Sequence, residues 1–408
     1  MTPVVSTATP TRSRADLSAS TIPLDIPYRF GFALTTALGN ATRTENLRKY
    51  AERHAGRLGC ACVFAPLSHW DAGADAVPRW MPASVRSRGA STRQLHSIAA
   101  DYARFDAVVW HYNEGFLRRA LLRRRGQKPL LVWAADAPPI VTPADYPRYP
   151  GTNAHPVSRA ARLRLDRYAF ARTDLFLPWS EWAAAVLTRG CGVPPERVRV
   201  LNVGVDLESY PFVPLAQRAP NPLPRILFVG GDFARKGGDL LLSVWAQRFQ
   251  ERAELDVVTK NAPSGLPPGV RIHDGITPND GKLAALLAAC DLFVLPTRAD
   301  YSSYAAMEAM ATGRAVVTTR TGGVPDVVTD GETGYVVPVD DKAALTERIG
   351  ALLENEALRQ QFGAAGRARV EAHFDAEANA VRMLQILCVA VDAARVPSGD
   401  PARRKAAA

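Results

Sequence analysis

Short apolar runs alternate with longer amphipathic stretches along most of this chain, and the alternation begins near Tyr28. Runs of about four to eight apolar residues are typical of strands that helices cover on both faces of a parallel sheet. The longer stretches between them have the apolar spacing of such covering helices. The sequence therefore predicts an α/β fold built on doubly wound parallel sheets.

A proline-rich segment, Leu215–Pro224, divides the alternation into two halves and predicts a linker. In the first half we predict strands at Phe30–Thr35, Ala107–His111, Leu130–Ala134 and Leu175–Pro178, and helices at Thr44–His54, Phe116–Arg125 and Arg159–Phe170. In the second half we predict strands at Arg225–Val229, Leu255–Thr259, Val270–His273, Asp291–Pro296, Ala315–Arg320 and Tyr335–Pro338, and helices at Lys236–Arg252, Gly281–Cys290, Ser303–Thr312, Asp341–Asn355 and Leu358–His373. Two Rossmann-like domains in series, residues 27–214 and 225–374, are the simplest account.

Composition limits the class of protein. At 408 residues the chain exceeds what one hydrophobic core usually serves, which favours two domains. A net charge of +10 with 47% hydrophobic residues excludes a disordered or collagen-like chain. The five cysteines include one close pair, Cys60 and Cys62, without a second pair to complete a zinc site. We therefore expect reduced thiols in an intracellular protein.

The sequence also bears on membranes. No stretch approaches the roughly 18 consecutive apolar residues of a membrane-spanning helix. Residues 1–26 are rich in Ser, Thr and Pro and lack the apolar core of a signal peptide, and residues 396–408 are basic. We expect both ends to be flexible tails on a cytoplasmic protein, which at most lies on the inner face of the membrane.

The first loop of the second half, between Val229 and Asp239, is rich in glycine and carries Arg235 and Lys236. It has neither the dinucleotide-binding glycine spacing nor the Gly-Lys-Ser/Thr of a P-loop. Cations at a helix N-terminus are unfavourable, but a bound anion such as a diphosphate reverses the sign. An ordinary solvated turn remains an equal alternative for this loop taken alone.

The segment after the fourth strand of the second half, Asp300–Gly313, contains one charged residue inside an apolar helix. Ser302 or Ser303 is suited to cap this helix and Gly313 to end it. A buried ionised Glu308 is costly unless it is paired, either with an Arg or Lys or with hydroxyl groups of a ligand. Its position behind a strand end favours the ligand, because ligands of doubly wound sheets bind there.

A third feature, Gly322-Gly323-Val324-Pro325-Asp326, follows the next strand and leaves backbone N–H groups near a cleft. Together the three segments resemble the retaining GT-B glycosyltransferases of glycosyltransferase family 4. The likeness covers roughly Trp179–Phe374 and includes Ser180-Glu181-Trp182, Gly192–Val198, Val203–Leu207 and Asp330-Gly331 with Gly334. It implies a GT-B architecture, with an acceptor domain and a donor domain facing a central cleft and a helix, residues 375–395, crossing back to the first domain.

The resemblance also implies roles for individual residues. Lys236, Asp300 and Glu308 would be the catalytic set: Lys236 on the donor diphosphate, Asp300 on the sugar and Glu308 on the ribose hydroxyls. Other donor-binding positions would be Gly231, Arg235, Gly275, Ile276, Ser302, Ser303, Gly322 and Gly323, and the acceptor side would include Gly39, Asn40, His111 and Asp136. The chain departs from the family at Asp300, where Glu is usual, at Gly231, where Arg is frequent, and at Ala135, where His is usual.

The function that the resemblance implies is sugar transfer from a nucleotide-diphosphate sugar to a hydroxyl acceptor: a glycan, a polysaccharide or a lipid-linked saccharide. Retention of configuration and independence of metals and cofactors are expected. A non-catalytic protein that binds nucleotide-sugar or a partner, and a sugar-nucleotide epimerase, are the alternatives.

We expect no nucleic-acid partner, because the basic clusters lack interleaved aromatic residues. Anionic membrane contact is a weaker expectation from Arg118, Arg119, Arg123, Arg124, Arg125, Lys128, Arg159, Arg162 and Arg167, since solvated helix faces also carry such charges.

Overall fold

A computed structural model describes residues 26–35, 40–67, 102–111, 120, 123, 127–137, 156–217, 221–276 and 281–396. These residues form two parallel sheets, each covered by helices. The expected α/β architecture of two doubly wound sheets is therefore confirmed. Among the described residues, no helix combines the length and the apolar character needed to cross a bilayer.

The N-terminal sheet has five parallel strands in the order β2-β1-β3-β4-β5. They are β1 (Tyr28–Thr35), β2 (Cys60–Leu67), β3 (Ala107–Trp110), β4 (Leu130–Ala135) and β5 (Leu175–Pro178), and the helices are α1 (Asn40–Ala55), α2 (Pro156–Ala171) and α3 (Glu181–Ala185). The chain leaves β1 in one direction for β2 and returns on the other side as β3. The crevice between β1 and β3 is thus the switch point where ligands bind in such sheets.

The C-terminal sheet has six parallel strands in the order β11-β10-β9-β6-β7-β8. The strands are β6 (Arg225–Val229), β7 (Glu254–Val258), β8 (Val270–His273), β9 (Leu292–Leu295), β10 (Ala315–Thr319) and β11 (Gly334–Val337). The helices are α4 (Gly238–Arg248), α5 (Lys282–Ala289), α6 (Tyr304–Ala311), α7 (Val324–Val327), α8 (Lys342–Glu354) and α9 (Glu356–His373). Here the switch point lies between β6 and β9.

The last described helix, α10 (Ala376–Arg395), packs against the N-terminal sheet. Its side chains Leu384 and Leu387 are fully buried in the core cluster that contains Phe30 of β1. The chain enters this helix beside Gly204, where a Cβ atom would lie 2.3 Å from the Cα atom of Ala376. Only glycine allows the two segments to approach this closely.

Among the described strands, β2 is the one that the sequence analysis missed. Its small residues and Pro66 give a weak strand signal, since proline and alanine are rare in strands. The structure tolerates Pro66 because β2 lies at the sheet edge and pairs with β1 alone. The predicted helix Phe116–Arg125 lies almost entirely outside the described residues, as do the two predicted tails.

The helix predicted at Lys236–Arg252 begins later, at Gly238. Its N-cap residue, Gly237, has a φ angle of 76° and turns the chain before the helix starts. Lys236 therefore lies in the loop, outside the first helical turn.

Candidate functional site

The loops that follow β6 and β9 meet at the switch point of the C-terminal sheet. A Cβ atom on Gly237 would lie 2.0 Å from the carbonyl oxygen of Pro296, so the loop can rest on the end of β9 only with glycine there. The backbone N–H of Arg298 donates to the carbonyl of Arg235 at 2.9 Å. These contacts bring Lys236 and Asp300 together as an ion pair, with both side chains largely buried.

Arg235, the second cation of the first loop, is engaged in holding the loops together. Its guanidinium donates to the carbonyl of Ala299 at 2.7 Å and to the carboxylate of Asp232 at 3.1 Å. Gly231 borders open space, and the nearest atom to an added Cβ would be Cδ of Lys260 at 4.0 Å. Lys260 is thus a cation beside this loop that the sequence analysis did not single out.

Helix α6 begins at the same edge. Ser303 is its N-cap residue, as expected, and its hydroxyl accepts a hydrogen bond from the backbone N–H of Ala306 at 3.3 Å. The neighbouring Ser302 hydroxyl is buried and has no hydrogen-bond partner within the described part of the chain. A buried hydroxyl without a partner is costly, so a ligand that bonds to Ser302 would remove an existing penalty.

Glu308 is buried in α6, with 7% of the residue exposed. The phenol of Tyr210 donates to its Oε1 atom at 3.0 Å, and no described Arg or Lys forms an ion pair with it. Burial raises the pKa of Glu308 to about 7, and the Tyr210 hydrogen bond only partly opposes this. The salt-bridge alternative is therefore wrong within the described residues, and the carboxylate keeps capacity for ligand hydroxyls.

The glycines before α7 have a structural task. A Cβ atom on Gly323 would lie 2.4 Å from the carbonyl oxygen of Tyr301 and 2.9 Å from the hydroxyl of Ser180. Close by, the carboxylate of Asp326 accepts a hydrogen bond from the backbone N–H of Trp182 at 2.8 Å. Gly322, with a φ angle of 50°, turns the chain into this contact between the two halves of the molecule.

On the N-terminal side of the cleft, Arg43 of α1 lies beside Trp179 and the predicted acceptor-side residue Asp136. Its guanidinium carbon is 3.6 Å from the ring centre of Trp179, and its Nη1 atom is 4.0 Å from the carboxylate of Asp136. Desolvation raises the pKa of Asp136, Arg43 opposes the rise, and the nearby Asp300 adds to it. Asp136 and Asp300 therefore face each other across the cleft with a cation beside each.

His111 directly follows β3 on the same side and is 5% exposed. Its ring packs edge-on against Trp179 at 4.9 Å between centres. Burial, helped by the charge of Arg43, lowers the pKa of His111 to about 3, so the imidazole is neutral near pH 7. A neutral ring at this position hydrogen-bonds but does not supply charge.

Four other predicted positions stay predictions. Gly39 lies outside the described residues, and Asn40 is placed only as the first residue of α1. Gly275 and Ile276 follow β8, an edge strand that β7 separates from β6. The structure thus gathers Lys236, Asp300, Ser302, Ser303 and Glu308 on one side of the cleft, and His111 and Asp136 on the other.

The sequence analysis missed Arg43, although the argument applied to Lys236 would have found it. Arg43 is a cation in the first turn of the helix after the first strand, where the helix dipole disfavours it.

The sequence analysis also missed Tyr304, whose hydroxyl donates to the carbonyl of Gly204 at the crossing between the two halves. A cavity of about 40 Å³ lies beside this crossing, lined by residues of α1 and α10 among others.

The site therefore combines one ion pair, a helix N-terminus, a buried carboxylate and a second cation across the cleft. Cations and free N–H groups suit the phosphates of a ligand, and the Glu308 carboxylate suits hydroxyl groups. Within the described ranges, no three His, Cys, Asp or Glu side chains are placed to hold a metal ion.

Comparison with known families and proteins gives two profile matches. The family described as "Glycosyl transferases group 1" matches residues 223–355, and "Glycosyltransferase Family 4" matches residues 41–209. The chain is 30% identical over 305 residues to a putative colanic acid biosynthesis glycosyltransferase of Escherichia coli K12, covering 67% of this chain and 68% of that protein. With most of the other curated relatives, the chain spans about half of their length.

Two solved structures share the fold. Sucrose-phosphate synthase from Thermosynechococcus elongatus superposes with a TM-score of 0.71 at 20% identity, over 88% of this chain and 98% of that one. The Anabaena protein HepE, solved in complex with UDP-glucose, superposes with a TM-score of 0.63 at 14% identity, over 88% and 99%. The GT-B architecture expected from the sequence is confirmed.

Proposed function

The chain belongs to glycosyltransferase family 4, and on that premise we propose that it transfers a sugar from a nucleotide-diphosphate sugar to a hydroxyl group of an acceptor. The observation that carries the proposal is Glu308: a buried carboxylate whose hydrogen-bond partner in the described structure is Tyr210 alone. Two ribose hydroxyls would supply the donors that its remaining lone pairs lack. A structural ion pair would have placed a cation there.

The diphosphate of the donor belongs beside Lys236 and the N-terminus of α6. Lys236 is largely buried, so its charge acts through a medium of lower polarity than water. The unpartnered hydroxyl of Ser302 and the first N–H groups of α6 add donors for phosphate oxygens. Asp300, displaced from Lys236 by the diphosphate, would then be released to bind hydroxyls of the transferred sugar.

The transfer step depends on stabilising the departing diphosphate. Lys236 and the helix N-terminus are in place before reaction, which is how electrostatic catalysis lowers a barrier. As the bond to the sugar breaks, a phosphate oxygen takes the proton of the attacking acceptor hydroxyl, which then bonds to the same face of the sugar. This course retains the anomeric configuration and needs neither a protein base nor a metal ion.

The acceptor would enter from the N-terminal side, where Arg43, His111 and Asp136 lie. Arg43 is buried and faces both carboxylates of the cleft. The name of the Escherichia coli relative refers to colanic acid, a polysaccharide, which supports a saccharide acceptor, free or lipid-linked. Asp136 would orient an acceptor hydroxyl, and the charge of Arg43 opposes the rise in the pKa of this carboxyl that burial causes.

The test is calorimetric titration of the protein with UDP-, GDP-, ADP- and TDP-sugars, beside the Glu308→Gln variant. We expect one donor to bind and the variant to bind it roughly 100-fold more weakly, because about 3 kcal/mol of hydrogen bonding to a charged group is lost. Glu354→Gln, at the exposed end of α8, is the matched control and should bind like the unaltered protein.

Three outcomes would change the proposal. Equal donor affinity in the Glu308→Gln variant would remove Glu308 from the ribose site. Binding without transfer to any saccharide would favour the non-catalytic alternative. Conversion of the donor sugar in the absence of an acceptor would favour an epimerase.

We also propose a peripheral contact with an anionic membrane on the inner face, through helix α2. Its Leu165 and Tyr168 are 37% and 45% exposed, and the neighbouring Arg164 and Arg167 are exposed as well. Arg123, by contrast, is buried and pairs with Asp174 at 2.6 Å, so it does not contribute. Binding to vesicles that contain phosphatidylserine should fall with added salt and in the Arg164→Gln, Arg167→Gln variant; binding that ignores lipid charge would remove the idea.

A further inference from the structure

Two cysteines that lie 328 positions apart in sequence meet in the folded chain. The Sγ atoms of Cys60, the first residue of β2, and Cys388 of α10 are 3.5 Å apart. Both thiols are free. A disulfide needs the sulfur atoms about 2.05 Å apart, so closing the bond requires a shift of roughly 1.5 Å, within reach of small side-chain rotations.

Packing on both sides fixes this approach. Leu387 and Val391 of α10 lie in the same buried cluster as Cys60. Further along the helix, the phenol of Tyr28 donates to the carboxylate of Asp392 at 2.7 Å, and Arg395 donates to Asp106 at 2.9 Å. The last turns of α10 are therefore held against β1 and its neighbours, and the two sulfur atoms are held together with them.

The two thiols differ in access and in charge. Cys60 is 4% exposed, whereas Cys388 is only partly buried. The hydrogen bond that it shares with Cys60 lowers the pKa of Cys388, although burial opposes this. Thiolate character with access to solvent is what makes a cysteine reactive. Cys388 is therefore the thiol that an oxidant meets first.

We propose that Cys60 and Cys388 form a redox-responsive pair that closes to an intramolecular disulfide when the protein meets a low-molecular-weight disulfide such as oxidised glutathione. The inference concerns the contact between β2 and α10 and is independent of the proposed transfer reaction. It rests on the distance between the two sulfur atoms, the packing that maintains it and the unequal exposure of the two thiols.

The chemistry is a double thiol–disulfide exchange. The Cys388 thiolate attacks one sulfur of the oxidant, forms a mixed disulfide and releases one glutathione thiolate, which takes up a proton. The Cys60 thiol loses its proton and attacks the Cys388 sulfur, and the second glutathione leaves as a thiol. Two protein thiols are oxidised to one disulfide while one glutathione disulfide is reduced to two thiols.

The bond would fasten the end of α10 to the edge of the N-terminal sheet. This helix begins at the crossing between the two halves, where the N–H of Ala376 donates to the carbonyl of Val205 at 3.0 Å. It also forms one wall of the cavity beside α1. A covalent link across so long a loop restricts the unfolded chain, so the oxidised protein should resist unfolding more than the reduced one.

The experiment treats the folded, full-length protein with oxidised glutathione and then blocks the remaining thiols. Mass spectrometry should show the loss of two hydrogen atoms and a peptide that joins β2 to α10, and the melting temperature should rise. Cys388→Ser should lose both changes. Cys62→Ser is the matched control, because Cys62 lies two residues further along the same face of β2 and should be dispensable.

The possible results separate the alternatives. A cross-link that survives in Cys62→Ser and disappears in Cys388→Ser supports the pair. A cross-link lost in Cys62→Ser would assign the bond to Cys62 and overturn the proposal. A stable mixed disulfide, a link between two molecules, or no oxidation of the folded protein would overturn it as well, since each shows that the two sulfur atoms do not react with each other.

Discussion

The two switch points of this molecule have the same strand arrangement, but their charged side chains come from different kinds of element. In the C-terminal half, between β6 and β9, the charged groups stand in the loops and helix that directly follow the strands: Lys236, Asp300 and Glu308. In the N-terminal half, between β1 and β3, the cation is Arg43, which reaches the cleft from within α1 and rests on Trp179. In the C-terminal half the charged residues lie in the segments that directly follow β6 and β9. In the N-terminal half they come from α1 and from the ends of other strands.

Under the proposed function, this difference corresponds to two tasks. The C-terminal set has the groups that a nucleoside diphosphate needs, a cation, free N–H groups and a buried carboxylate. The N-terminal set places a cation, a neutral imidazole and a carboxylate opposite them, which suits orientation of a second substrate. Under the proposed function, binding of the donor and transfer of its sugar should depend on different halves.

Removing the cation at each switch point tests this division. Lys236→Met should weaken nucleoside diphosphate binding roughly 100-fold, whereas Arg43→Met should leave that affinity unchanged and lower kcat roughly 100-fold. Titration calorimetry and initial rates measure the two effects. Arg48→Met, on an exposed part of the same helix as Arg43, is the control. Loss of donor affinity in Arg43→Met would contradict the division.

The buried acid of the C-terminal half predicts stability that falls as pH rises. The pKa of Glu308 is about 7 in the folded chain and 4.5 for an ordinary glutamate. The protonated Glu308 side chain therefore stabilises the fold fully below pH 4.5, and this stabilisation is lost as pH rises to about 7. The loss amounts to about 3 kcal/mol. Glu308→Gln should therefore melt at a higher temperature than the unaltered protein at pH 8 but not at pH 4.5. Parallel melting curves at both pH values would refute this.

The buried base of the N-terminal half predicts the opposite sign. Because the pKa of His111 is lowered to about 3 from 6.5, the unfolded chain takes up a proton below pH 6.5 and the folded chain does not. Stability should fall by about 2 kcal/mol between pH 6.5 and pH 5. His111→Gln should lose this dependence, measured by thermal melting in the absence of ligand. A variant that retains it would place the titrating group elsewhere.

Two glycine substitutions test whether the loop after β6 rests on the end of β9. Gly237→Ala should lower the free energy of unfolding by about 2 kcal/mol or more, because the residue has a positive φ angle and its Cβ would meet the carbonyl of Pro296. Gly231→Ala, which borders open space, should change it by less than about 0.5 kcal/mol. Denaturant unfolding measures both, and equal effects would show that the loop does not rest on β9.

The smallest effect is expected at the ion pair itself. In Asp300→Asn the carboxylate no longer competes for Lys236, so a nucleoside diphosphate without sugar should bind up to about tenfold more tightly. Sugar transfer should fall in the same variant. Calorimetry with the free diphosphate and with the intact donor separates the two, with Asp274→Asn as an exposed control. Weaker binding of the free diphosphate would mean that Asp300 does not compete with the diphosphate for the position beside Lys236.

Local sequence was sufficient for much of the C-terminal half. The burial of α6, the cap at Ser303 and the end at Gly313 each follow from residue types within the short segment Asp300–Gly313. The strands Arg225–Val229 and Val270–His273 have the predicted bounds. These features depend on short-range patterns of polarity and backbone preference, which a sequence displays directly.

Tertiary structure alone decided which distant residues meet. Tyr210 lies 98 positions from Glu308 and Cys60 lies 328 from Cys388, and no local pattern joins them. Strand β2 was hidden because its pairing with β1, rather than its own composition, makes it a strand. The sequence determined the two α/β halves and the segments that contain Lys236, Asp300 and Glu308, whereas long-range packing decided the partner of Glu308, the contacts of Arg43 and the meeting of the two thiols.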